Sequence, residues 1–298
     1  MSEPFSILQI PSDARRHVEQ LGSKPKFWFV HEGEDWLFKE ARENTGEDWS
    51  EKVASEIAAL LELPTHYTEL ANWQGKPGSA VRSFLSAKST VLVHGNELLG
   101  GLIANYDKDK LRGQSDHTFD NIVKVIEKLF PVDKARREAA FAMVGYLIFD
   151  ALVGNTDRHH QNWGVILEMR LEGKKPAYSF KLAPTFDHAS SLGRELTDDS
   201  RERRLQENGL ERYIRNGRGG IFLRSDVRHG LSPLLVAEML AQRFPEFFRP
   251  WQTRVAALSV EQFSELLDRV PKERMSDAAC SFTFEFLCVS RQLILKML

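Results

Sequence analysis

The sequence predicts an α+β chain of two lobes, a small antiparallel sheet carrying one helix followed by a larger, mostly helical part. Three observations carry this reading. Between Leu21 and Leu85, strand-forming runs alternate with turns rich in Gly, Pro and Asn. Ala135 to Val153 is a helix-length run that is apolar on all faces, as the centre of a larger lobe requires. The last third reads as helices with explicit start signals. The expected lobes are residues 1–85 and 86–298.

Composition narrows the class. At 298 residues the chain can bury a sizeable core as one large domain or two lobes. Its 42% apolar and 28% charged residues are the proportions of an ordinary soluble globular protein. A formal net charge of −2 supplies no global field, so neither direct nucleic-acid binding nor a membrane surface is expected. The opening MSEPFSILQIPSDARR has no basic segment followed by a continuous apolar one, so no secretory signal is expected. The longest apolar run, around Ala139 to Val153, is shorter than the roughly 20 residues that span a bilayer and carries Asp150. Cys280 and Cys288, the two cysteines, lie on one helical segment, about 12 Å apart at ~1.5 Å per residue, too far for a disulfide. Core thiols in a reducing, cytoplasmic setting are the expectation.

In chain order, Gly22-Ser23-Lys24-Pro25-Lys26 is read as a turn, Phe27 to His31 as a strand, Glu32 to Asp35 as a turn and Trp36 to Lys39 as a second strand. Backbone N–H groups of a Gly/Ser turn with nearby lysines suit a polyphosphate, though a surface hairpin with solvated lysines reads the same way. Asp48 to Leu63 is a helix with Val53, Ile57, Leu60 and Leu61 on one face, ended by Pro64. Glu51 is a better partner for Lys39 than Glu56, which stands four residues after Lys52 and suits an exposed pair with it. Thr65 to Phe84 resumes strand character around a turn at Asn72 to Gly78, and residues 85–115 give way to helix. Asp116 to Phe130 is amphipathic, with Ile122, Val125, Ile126 and Leu129 on one face.

Behind the apolar helix comes the polar stretch DALVGNTDRHHQNWG, Asp150 to Gly164. Two strands follow, Trp163 to Met169 and Ala177 to Leu182, and then FDHASS with Asp187. The hairpin between them brings Asp157, Asn162 and Asp187 together. Ser190 to Gly230 is polar, with nine arginines against seven acids, and suits either a mobile substrate loop or a solvated surface. Ser232-Pro233 starts a helix, Ser259 with Gln262 forms a capping box, and an apolar helix from about Ser276 closes the chain against the central one.

These residues suit phosphoryl transfer, which asks of a protein mainly a cation on the nucleotide, oxygens for metal ions and a carboxylate at the acceptor. Asp157 followed by four residues and Asn162 has the spacing of a kinase catalytic loop, with Asp as base and Asn as magnesium ligand. Asp187 supplies a second hard oxygen ligand, and Lys39, fixed by Glu51, would hold phosphates. A transition-metal site of His159, His160, Asp157 and Asp187 is disfavoured, because adjacent histidines rarely ligate one ion. No G-x-S-x-G elbow supports a hydrolase.

GNTDRHHQN, Gly154 to Asn162, resembles the N-x-D-x-H-x-x-N signature of the HipA-like serine/threonine kinases, and KLAPTFDHASS, Lys181 to Ser191, resembles their metal-binding segment. The D-R-H-x-x-N core is also similar to that of phosphoinositide kinases. The resemblance implies a bilobal protein-kinase-like fold, ATP and magnesium, and transfer to a Ser/Thr hydroxyl of a protein. It implies Asp157 as base, Asn162 and Asp187 as magnesium ligands, and Gly22, Ser23, Lys24, Lys26, Lys39 and Glu51 at the phosphates. Ser83 and Phe84 would lie in the hinge at the adenine, and Ser23 would be the autophosphorylated serine. Such kinases are typically toxins paired with an antitoxin protein. The chain looks like the short, single-module members that lack an N-terminal extension. Asp187 is followed by His188-Ala189 and not Phe-Gly, so switching as in eukaryotic kinases is not expected. A lipid or small-molecule kinase and a nucleotide-binding module without turnover are the alternatives.

Overall fold

The computed structural model describes residues 3–18, 25–85, 89–173 and 175–297. Gly22, Ser23 and Lys24 lie outside the described residues. The first sheet has six strands in the order β1-β5-β6-β4-β3-β2: β1 (Ile7–Ile10), β2 (His17–Val18), β3 (Lys26–His31), β4 (Glu34–Glu40), β5 (Thr68–Trp73) and β6 (Lys76–Arg82). Lys26 therefore opens a strand and does not belong to a turn. The β3–β4 hairpin closes on Glu32 and Gly33, both at positive φ (51° and 79°), the two-residue turn whose twist matches paired strands. The expected turn at Asn72 to Gly78 shrinks to Gln74-Gly75, also both at positive φ, with Pro77 and Gly78 inside β6. Pro77 is tolerated there because it lies beyond Gly78, the last β6 residue that pairs with β4.

The sheet is mixed and not wholly antiparallel, since β1 runs parallel to β5. Alternation along β3 and β4 buries Phe27, Phe29, Trp36 and Phe38 in a small core with Ile10, Ala71 and Ala80. The opposite residues, Leu37 and Lys39, are turned toward the helical part. Helix α1 (Glu47–Leu60) packs on β5 and β6 and joins the main core through Trp49, Val53, Ile57 and Leu61. It stops four residues short of Pro64, and Leu60, expected on its apolar face, is exposed.

Residues 85–115, read as the passage from sheet to helices, contain one further strand, β7 (Thr90–His94), and one short helix, α2 (Gly95–Leu102). Strand β7 adds to the expected hairpin, β8 (Gly164–Glu172) with β9 (Lys175–Leu182), making a second, three-stranded antiparallel sheet. Helix α3 (Phe119–Leu129) starts at a Thr118 cap, and α4 (Asp133–Val153) runs through the centre with every residue from Met143 to Val153 buried. The polar segment after Ser190 holds two helices, α5 (Asp198–Gln206) and α6 (Leu210–Asn216), which pack on the last helix. Helices α7 (Pro233–Arg243), α8 (Pro245–Ala257), α9 (Val260–Leu267) and α10 (Asp277–Leu295) complete the chain, with Ser232, Ser259 and Ser276 capping as expected. By length and composition α10 could cross a membrane, yet it buries Phe282, Phe286, Leu287 and Ile294 and packs on α4. Cys280 and Cys288 on it are free, half-buried thiols.

Candidate active site

Lys39 is near the end of β4 with Lys26 directly opposite on β3. Its Nζ lies 3.1 Å from Glu51 Oε2 and 2.8 Å from Asp187 Oδ1. Burial works against the Lys39 ammonium, but the Asp187 and Glu51 carboxylates more than offset it and raise its pKa. Burial likewise opposes ionisation of Glu51 and Asp187; Lys39 outweighs it in both and holds both carboxyls below their usual range. Glu56, by contrast, pairs with Lys52 at 2.7 Å, as their i,i+4 spacing suggests.

The catalytic-type loop begins where Gly154, at φ 67°, ends α4 in the left-handed conformation. A Cβ there would come within 2.4 Å of the Phe286 ring, so glycine is required twice over. Asn155 donates to Asp150 Oδ1 at 2.9 Å and accepts from the Asp157 N–H at 3.0 Å, turning the chain so that Asp157 projects outward, its side chain 54% exposed. Asn162 Nδ2 donates to the Asp157 carbonyl at 2.8 Å, which fixes the amide and leaves its Oδ1 as the outward group.

Arg158 turns the other way. Its Nε and Nη2 grip Asp150 at 2.7 and 2.8 Å, Nη2 also reaches Thr185 Oγ1 at 2.9 Å, and Nη1 donates to the carbonyls of Phe186 and Asn162. The loop and the Asp187 segment are thereby fastened to one buried guanidinium. Asp187 takes a positive φ of 62°, a conformation Asp tolerates better than most residues. That twist separates three neighbours: Phe186 packs near Phe84 and His94, with ring centroids 5.9 Å away from each, Asp187 meets Lys39, and His188 is fully buried.

Two clefts of about 420 Å³ each meet at Lys39 and Asp187. The first has apolar walls from Trp28, Leu37, Val81, Phe84, Leu92 and Phe186, with Lys26, Asn162 and Asp187 at its polar end. Ser83 also borders it, its N–H donating to the Asp35 carbonyl at 2.8 Å. The second cleft is polar and holds Asp157, Arg42, Arg112, Arg194, His159 and Ser190. Glu47, in the first turn of α1, pairs with both Arg42 and Arg194. An apolar slot suited to a base, a charged neck and an open polar cleft thus lie in sequence.

The described site residues Lys26, Lys39, Glu51, Ser83, Phe84, Asp157, Asn162 and Asp187 are brought together around these clefts, while Gly22, Ser23 and Lys24 are not described. Asn162 and Asp187 line the same cleft and present hard oxygens, so they fit a magnesium ion. His159 and His160 diverge and form no metal cluster among the described residues: His159 Nε2 lies 4.0 Å from Asp157, and His160 Nδ1 is bonded to Tyr106 at 2.8 Å. Burial lowers the pKa of both, that of His160 to about 4.

Sequence reasoning left residues 217–220 between a substrate loop and a solvated surface, without their place against the catalytic-type loop. A Cβ at Gly220 would lie 2.7 Å from Arg158 O and His159 N, so only glycine lets this segment touch the catalytic-type loop. His117 holds it there. Its Nδ1 donates to Gly220 O at 2.7 Å and its Nε2 accepts from Trp163 at 3.0 Å, a neutral imidazole whose pKa burial pushes down to about 3. Also missed were Leu37, which the alternation of β4 could have placed beside Lys39, and β7, legible in the run TVLVH.

The chain belongs to the HipA-like family: the model of the HipA-like C-terminal domain matches residues 20–242. Among solved structures it is similar to the proinflammatory kinase CtkA of Helicobacter pylori, with 18% identity, 98% of each chain covered and a TM-score of 0.78. It is also similar to HipA of Shewanella oneidensis MR-1, solved with HipB and its operator DNA, at 11% identity and a TM-score of 0.58, covering 97% of this chain and 65% of that one. At such identities these two show the fold, which is that of a kinase. Among curated proteins no sequence matches. Family and fold together make the chain a HipA-like phosphotransferase.

Proposed function

We propose that this protein transfers the γ-phosphoryl group of ATP, with magnesium, to a Ser or Thr hydroxyl of a protein. The observation that carries the proposal is the meeting of an apolar slot and an open polar cleft at Lys39 and Asp187, with Asp157 facing the second cleft. Trp28, Leu37, Val81 and Phe186 would sandwich the base, with Ser83 and Phe84 at its edge. Lys26 and Lys39 would neutralise the phosphates, Glu51 holding Lys39 in place. Gly22, Ser23 and Lys24 precede Lys26 and would cover the phosphates. Asn162 and Asp187 would hold magnesium, which when bound neutralises charge on the phosphate oxygens. Asp157 would orient the acceptor hydroxyl and take its proton as the acceptor oxygen bonds the γ-phosphorus and the bond to the ADP oxygen breaks.

The open second cleft suits a protein segment, and Ser23, close in sequence to Lys26, is the proposed site of autophosphorylation. Two unbridged thiols accord with the cytoplasm. The Shewanella HipA is bound to an antitoxin, HipB, and a protein antitoxin is the partner proposed for this chain. The test is transfer of labelled γ-phosphate by purified protein to itself and to a cell lysate. Label in protein, lost in Asp157→Ala and in Asp187→Asn, is expected. Retention in both variants overturns the mechanism, label in organic-extractable or small-molecule product overturns the protein acceptor, and peptide mapping that places the phosphate elsewhere overturns Ser23.

A further inference from the structure

Behind Lys39 lies a sealed cluster of which phosphoryl transfer uses only Glu51. Glu51 from α1, His66 from the segment before β5, and His188 beyond Asp187 are 0%, 1% and 0% exposed. One carboxylate oxygen and one ring nitrogen of each histidine lie within 4.8 Å of one another, the one such cluster among the described residues. The two imidazoles are stacked, 5.2 Å apart and 9° from parallel.

Each histidine is anchored through one nitrogen and leaves the other unsatisfied. His66 Nδ1 donates to the Thr185 carbonyl at 3.1 Å, so Nε2 carries the lone pair of the neutral ring. That Nε2 stands 3.1 Å from Glu51 Oε1 yet aligns no hydrogen bond with it. Two lone-pair atoms this close repel unless a cation lies between them. His188 Nε2 meets Thr185 Oγ1 at 2.8 Å, and its Nδ1 is buried with no partner. Thr185 Oγ1 also accepts from Arg158, and where it accepts from His188 Nε2–H as well, Nδ1 carries the lone pair.

We propose that Glu51 Oε1, His66 Nε2 and His188 Nδ1 form a buried site for a zinc-class divalent metal ion. Two imidazoles and one carboxylate are a zinc donor set, and the anchoring of each ring through its second nitrogen is the outer support such ligands have. Bonds of about 2.0–2.1 Å place neighbouring donors roughly 3.3 Å apart, a spacing the Glu51–His66 pair already satisfies at 3.1 Å, and the His188 ring, within 4.8 Å, would close on the ion. Glu51 then bridges, with Oε1 on the ion and Oε2 on Lys39. The ion would pin α1, the β5 entry and the Asp187 segment together at one point.

The test reads metal and not phosphoryl transfer, so it stands whether or not the kinase assignment does. Protein stripped with a chelator is titrated with Co²⁺ and Zn²⁺, and Co²⁺ binding is followed by visible d–d absorption. One equivalent, not displaced by a large excess of Mg²⁺, is expected. His66→Gln and His188→Gln should weaken it by more than the roughly 10–100-fold that loss of an outer partner costs. X-ray absorption of the zinc-loaded wild type, which needs no folded variant, should show two imidazoles. Absence of saturable binding, displacement by Mg²⁺, undiminished affinity in both variants, or an all-oxygen shell each overturns the site and leaves a proton shared between His66 and Glu51 instead.

Discussion

Asp150, near the end of α4, and Asp187, beyond β9, each face a cation, and the two pairs have opposite characters. Asp150 and Arg158 are sealed, their side chains 3% and 4% exposed, and Arg158 spends its donors on Asp150, Thr185 and two carbonyls. Asp187 and Lys39 keep 34% and 12% of their side chains exposed and border both clefts. A guanidinium fork saturated by internal acceptors has nothing left for a ligand, whereas an ammonium on a flexible stem can exchange a carboxylate for phosphate. The first pair builds the loop, and the second is placed to work.

The comparison breaks most visibly at Asp187. Asp187→Asn keeps the shape and removes the charge, so phosphoryl transfer should fall by about 10³-fold or more while the melting midpoint moves by only a few degrees. A variant that loses activity only in proportion to its stability would erase the distinction. Arg158→Ala is the converse: it leaves Asp150 buried without its partner and should cost about 3–5 kcal/mol, read in urea unfolding. The double variant Asp150→Leu with Arg158→Met should recover part of that loss, because the unpaired charge is the main penalty.

Acid separates the acid–cation pairs from the histidines around them. The His117 and His160 pKa values fall from 6.5 to about 3 and about 4, both mainly through burial, and His188 is lowered too. Depressed in the fold, these groups contribute stability that is complete above pH 6.5 and lost as pH falls through the window down to their folded values. Each should add up to about 1.4 kcal/mol per pH unit to the slope of unfolding free energy there. Lys39 keeps Asp187 ionised throughout, so the loss reads out the histidines. His117→Gln should flatten that slope, and an unchanged slope counts against the neutral imidazole. The smallest effect expected is at the far wall: Phe84→Ala removes packing against Phe186 and should raise the KM for ATP about tenfold with a lesser change in kcat.

How much of this was legible depended on the range of the interaction. The strands at Phe27 to His31 and Trp36 to Lys39 could be read, and the caps Ser232 and Ser259 announced their helices, because each signal is complete within a few residues. The polar stretch from Asp150 to Asn162 could be read because its turn chemistry is local, Asn155 acting on its neighbours at 150 and 157. The parallel pairing of β1 could not, since strand direction is set by a partner 63 residues away. Nor could the role of Gly220, which is defined by the backbone it touches at 158 and 159.

The histidines mark the division. His159 and His160 are adjacent in sequence and invite a shared ligand, yet their rings meet edge-on and serve different partners. His66 and His188 are far apart in the chain and stack on one another. The sequence by itself determined the two-part architecture, the order of lysine, glutamate, aspartate, asparagine and aspartate, and the apolar helix that carries the loop. Tertiary structure decided which cations are saturated, which face the clefts, and which histidines share a site. Periodicity and turn chemistry act between neighbours, whereas burial, charge compensation and ligand convergence exist only after distant segments have packed.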